Sequence, residues 1–314
     1  MSDEVRKIAD AVLYEGYLLW PYRRSAMKNQ QRFTFGGVYP KGWPEDRSSM
    51  QTQCLVETDP ARREAPDVDV RARFLHMVDR QVHDAEGRPV DELVAGGERH
   101  LSWEEAVERE VSGGGAGFAI AAGRDEEPLE GGRIVRTWQA LEGRVEMKSE
   151  RLRPGLWRLS VRIENTAAWA GEDRPATLRR SLCSTHAVLR ARDGAFVSLT
   201  DPPKGLRAEA QACVHDGAWP ILVGEEGRRD TLLASPIILE DHPKIAPESP
   251  GDLFDGGEID QMLVLNILSL TDEEKREMAS SDPKARAILE RTEALSPQEL
   301  MRLNGAIRDF QVVR

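Results

Sequence analysis

The sequence predicts an α+β fold: an antiparallel β-rich core with an N-terminal helix and a helical C-terminal segment. Three observations predict it. Apolar residues recur at helical spacing near the start, alternation fills residues 141–164, and two helix-capping signatures stand beyond residue 270.

Taken in order, Val5, Ile8, Ala9, Val12 and Leu13 fall at i, i+3, i+4, i+7 and i+8, which is one stripe of a helix. Ser2 is placed to cap it, Asp3 and Glu4 suit its positive end, and Pro21 limits it. DPARREAPDVD (59–69) reads as an exposed linker, and ARFLHMVDRQV (72–82) as a strand followed by a turn. In HLSWEEAVEREV (100–111), Ser102 and Glu105 have the spacing of a capping box. That predicts a short helix, ended by the glycines of SGGGAG (112–117). Leu141, Gly143, Val145 and Met147 alternate with charged residues. After RLRPG, so do Trp157, Leu159, Val161 and Ile163, which gives an antiparallel pair with one wet face. Residues 184–203 read as a hairpin turning at Asp193-Gly194, and 218–224 and 231–239 as two more short strands. Prolines make 240–260 an extended strap. Beyond it come a helix from Glu258 to Leu270, one capped by Thr271 and Glu274, and one capped by Ser296 and Glu299 with Pro297 at its first position. Gly305 reads as a cap or a local break. The chain thus divides into a body, 1–240, and a segment, 241–314, packed on it.

Composition limits the function. The 314 residues carry a net charge of −11, which excludes general nucleic-acid binding. No apolar run is long enough for a membrane span, and MSDEVRKIAD has no apolar signal region. Three cysteines suit a cytoplasmic protein without a disulfide framework.

All four tyrosines lie in the opening segment, between Tyr14 and Tyr39. Tyr14, Tyr17, Trp20, Tyr22 and Phe33 are mixed there with Arg23, Arg24, Lys28 and Arg32. Such residues anchor protein interfaces, and the same rings can plug the open face of a β core or line a ligand pocket. Cys183, His186, Cys213 and His215 make up the ligand set of a tetrahedral zinc site. On a strand, Cys183 and His186 point to opposite faces, so a turn at 183–184 is needed; the alternative is buried structural cysteines and histidines. A cysteine nucleophile with a histidine base uses the same residues. His242, Glu248, Asp252, Asp255, Glu258 and Asp260 lack the spacing of a calcium loop and read as flanking a helix start. SGGGAG lacks a phosphate-loop signature and reads as a connector. A ligand cavity lined by Trp138, Trp157 and the opening rings is the remaining possibility.

Three blocks, LYEGYLLWPYRRSAMKNQQRFTFGGVYP (13–40), FVSLTDPP (196–203) and SPIILEDHPKIAPESPGDLFDGGEIDQMLVLNILSLTDEEK (235–275), resemble a bacterial family associated with gene clusters for nickel–iron hydrogenases. The resemblance identifies no catalytic motif. It implies an accessory, maturation or assembly role, with a nickel–iron hydrogenase or its maturation factors as partner.

Overall fold

The computed structural model describes residues 3–23, 25–30, 35–115, 117–244, 251, 253 and 260–303. The expected first helix is α1 (Asp3–Tyr14). Its stripe of Val5, Ile8, Ala9 and Val12 is buried, while Glu4, Arg6 and Lys7 face outward. Next come the strands β1 (Ser49–Glu57), β2 (Val68–Asp84), β3 (Pro89–Val90), β4 (Glu92–Ala95), β5 (Glu98–Leu101) and β6 (Trp103–Ser112). They are followed by β7 (Gly117–Ile120), β8 (Gly123–Leu129), β9 (Gly132–Trp138), β10 (Leu141–Arg153) and β11 (Leu156–Asn165). The helix α2 (Arg174–Leu178) leads into β12 (Cys183–Ala191) and β13 (Ala195–Phe196), and α3 (Arg207–Gln211) into β14 (Trp219–Leu222) and β15 (Thr231–Ser235). The helices α4 (Asp260–Leu268), α5 (Asp272–Ser281), α6 (Pro283–Glu293) and α7 (Pro297–Arg302) close the series. Both expected capping boxes are present, at Thr271 with Glu274 and at Ser296 with Glu299.

Two antiparallel sheets face each other. One runs β13-β1-β11-β10-β7 and contains the expected alternating pair, with Val145 opposite Ile163. The other runs β14-β15-β12-β2-β9-β8, with β3 and β6 also on β2. β2 is 17 residues long and serves both edges. One edge pairs first with β12 and then with β9; the other pairs with β6 and then β3. Val70, Ala72 and Phe74 of β2 point into the space between the sheets, against Val145, Leu159, Val161 and Leu189. Leu75 and Met77 point the other way, into a second core formed with α4, α5 and α6. α1 covers the same outer face through Val188, Ile221 and Leu233.

The structure corrects several expectations. No helix forms over 100–111: His100 and Leu101 end β5, which pairs with β4, and from Trp103 the chain is β6, in an unbroken ten-pair register with β2. Ser102 caps no helix: its hydroxyl accepts from the Val82 amide at 2.9 Å and donates to the Val90 carbonyl at 2.7 Å. Trp103, Val107 and Val111, four residues apart, fit alternate strand positions as well as a helix face. SGGGAG therefore follows a strand, and Gly113 packs so closely that a Cβ there would lie 2.8 Å from Val70. The hairpin expected at 184–203 is a crossing between sheets. β12 pairs with β2 and β15, whereas β13 pairs with β1. Asp193 at that corner is held by Arg62 and by the Asp67 amide, so the linker expected at 59–69 is tied down, and its last two residues already belong to β2. β1, β8 and β9 were not expected at all. Gly305 lies outside the described residues.

Candidate functional site

The opening aromatic segment turns inward. Tyr17, Tyr22 and Tyr39 are buried, and Tyr14, Trp20 and Trp43 pack against the core they share with α4–α6. The Tyr17 hydroxyl donates to Asp282 at 2.6 Å, and the Tyr22 hydroxyl to the Leu253 carbonyl at 2.5 Å. Lys284 stands 3.7 Å from the Tyr14 ring centre. Arg23 pairs with Glu274 at 3.1 Å. These residues join the strand body to the C-terminal helices, so Tyr17 and Tyr22 are not exposed partner anchors. Lys28 is exposed, and Arg24, Arg32 and Phe33 lie outside the described residues.

The zinc set is not assembled. Cys183 lies in the core against α4–α6, and His186 lies on the same strand, beneath α1. In place of a turn at 183–184, β12 runs through both residues with a bulge: Ser184 has φ of 51°, at a register shift between Cys183 and His186. Cys213, however, is in a separate cluster with Leu55, Leu156 and Leu206, and His215 approaches Thr52 at 3.3 Å. Among the described residues, no three histidine, cysteine or acidic side chains gather to hold a metal. Burial raises the thiols of Cys54 and Cys213, which opposes nucleophilic reactivity. His242 bonds to the Gly224 carbonyl at 3.1 Å; the acids expected beside it, Glu248, Asp252, Asp255 and Glu258, fall outside the described residues.

Nor is there an interior ligand cavity at the sheet interface near Thr52 and Ala187. The space there is about 10 Å³, at the lower limit for one water. Trp138 and Trp157 sit on different sheets.

What the fold does build is a polar seam under α1 that opens into a groove. Arg73 is 1% exposed, between Asp10 of α1 at 2.5 Å and Glu108 of β6. His186 is opposite Arg73 in the strand register and is fully buried. Tyr14 lies beside this group, and its hydroxyl pKa is pushed up to about 12, by burial first and then by Glu108 and Asp10. Towards the start of α1 the seam widens into a groove of about 790 Å³. Its floor continues the same strand face through Arg71, Val188 and Arg190; Arg6 comes from α1 and Arg228 from the turn before β15. Arg71 pairs with Asp69 at 3.0 Å and Glu110 at 3.4 Å, and Arg228 with Asp230 at 2.8 Å. Arg6 and Arg190 have no ion-pair partner among the described residues. Asp3, Glu4 and Glu225 also line the groove, so it offers both signs of charge. No single stretch of sequence announces it, because its walls come from five separate stretches.

No protein-family model matches the chain, and no curated protein matches it.

Proposed function

We propose that the protein is a non-catalytic accessory protein of the cytoplasm, and that it works by holding a polar, charged segment of a protein partner in the groove at the start of α1. One observation carries this reading: Arg6 and Arg190 line a groove of about 790 Å³ with no ion-pair partner among the described residues, while Arg71 and Arg228 are paired. The lining is mostly charged, with four arginines and six carboxylates. What it offers is charge recognition. The resemblance of residues 13–40, 196–203 and 235–275 supports a nickel–iron hydrogenase or its maturation factors as the partner. The test is capture of partners from native cells at low salt without oxygen, with the wild type and with Arg6→Glu/Arg190→Glu. The wild type recovers a hydrogenase-related protein, and the double variant binds it roughly tenfold more weakly, about 1.4 kcal/mol. Recovery of no such protein removes the hydrogenase assignment, and equal binding by the variant removes the groove.

A further inference from the structure

The sheet edges of this fold are not alike. β8 carries Asp125, Glu126, Glu127 and Pro128. The free stretch of β10 carries Lys148, Glu150 and Arg151, with a register irregularity between Arg151 and Arg153. Charge, proline and bulges are how natural edges avoid accepting another strand. β6 is charged as well, at Glu104, Glu105, Glu108, Arg109 and Glu110, but it has a ten-residue register without a shift and contains no proline, glycine or lysine. On the side away from β2, the backbone of residues 105–112 makes no hydrogen bond among the described residues.

We propose that this open edge pairs antiparallel with β6 of a second copy of the chain, about a two-fold axis at Val107. A two-fold axis sets each residue of β6 opposite a residue equally far beyond the axis. Centred on Val107, the pairing stands Glu105 opposite Arg109 twice. These residues share the face that carries Val107, which is 39% exposed. Arg109 has no ion-pair partner in its own chain among the described residues, and its Nε is buried without an acceptor. Glu105 already lies between Arg80 and Arg136, and the partner's Arg109 extends that ladder of opposite charges. On the reverse face Glu104 stands opposite Glu110, but each arrives compensated, by Arg179 at 2.9 Å and by Arg71 at 3.4 Å. Moving the axis by one residue destroys the match. Centred on Ala106, Glu105 meets Val107 and Glu104 meets Glu108; centred on Glu108, that carboxylate faces its own copy. Opposite charges directly across a strand pair favour pairing, and like charges oppose it.

Sedimentation or light scattering between about 1 and about 100 µM tests the pairing, a range that brackets a weak-to-moderate dimer. The expected mass rises to twice the 35.1 kDa of the chain. Val107→Lys sets two ammonium groups together at the axis, and Arg109→Glu sets carboxylate against carboxylate. Each raises the dissociation constant at least about tenfold, while Lys148→Glu on the β10 edge leaves it unchanged. Unaltered melting of the dilute variants shows that they fold. A chain of single mass at every concentration overturns the proposal, as does a dimer indifferent to both β6 variants. If a variant does not fold, hydrogen exchange of the wild type decides: amides of residues 105–111 slow as concentration rises. Equal exchange overturns self-pairing, and so does protection that appears only on adding cell extract, which marks a foreign strand.

Discussion

Arg73, His76 and His186 lie on two neighbouring strands, and none reaches water. Among the described residues, Nε2 of His186 has no hydrogen-bond partner, and His76 has at best a poorly aligned one in the Gln139 backbone. Burial, with Arg109 nearby, lowers the His76 pKa to about 4; burial, with Arg73 nearby, lowers that of His186 to about 3. In the unfolded chain both titrate near 6.5. Between those values the unfolded chain takes up protons that the folded chain refuses. Stability is therefore unaffected by these two groups above pH 6.5 and falls as pH drops below it, by about 1.4 kcal/mol per pH unit for each histidine. Urea unfolding at about pH 7, 6 and 5 checks this, and His76→Leu removes about half of the slope. A midpoint that does not move with pH refutes it. At this scale the sequence showed the chemistry of each side chain but not its depth. His186 suggested a metal ligand, and the tyrosines suggested anchors; for Tyr17 and Tyr22, partner atoms more than two hundred residues away decided otherwise, Asp282 and the Leu253 carbonyl.

Elements whose apolar period was unambiguous were legible. α1, the β10–β11 pair and the two capped helices appear where their spacing put them. β6 was not, because Ser102 and Glu105 satisfy a helix-start pattern while the strand is held by ten pairs with β2. Tertiary pairing outweighed a local signal worth about 1 kcal/mol. Ser102 is the residue to test. Its hydroxyl serves the Val82 amide, the Gln81 side chain and the Val90 carbonyl together. Ser102→Ala is expected to cost about 1–3 kcal/mol with no loss of helical signal in circular dichroism, since the groups left behind are part-buried donors and an acceptor. A drop in helix content instead would contradict the role of Ser102 in the sheet. β1 went unseen because SMQTQCLVE breaks the apolar alternation: polar Thr52 is buried in line with Met50, Cys54 and Val56, and Leu55 is buried on the other face.

For the whole molecule, the division at residue 240 does not separate two cores. Leu263, Val264, Ile267, Met278 and Ile288 of the C-terminal helices share a cluster with Leu13, Tyr17, Tyr22, Leu75 and Met77. A fragment ending at residue 240 is expected to lose cooperative unfolding and to bind a hydrophobic dye, because it bares that face of the eight-stranded sheet. A sharp, wild-type-like melt of the fragment contradicts this. The overall α+β layout was readable from periodicity, but the groove was not. A groove whose walls are drawn from residues 3–6, 69–71, 110, 188–190 and 223–231 exists only once the strands are ordered. The bond from Tyr17 to Asp282 has one further consequence, for synthesis. The aromatic stretch leaves the ribosome first and its partner 265 residues later. At roughly 5–20 residues per second, that is a wait of about 13–50 s. Throughout it, Tyr17 and Tyr22 lack the late residues that their hydroxyls bond, so the nascent chain, more than the finished one, is where a chaperone would find this protein.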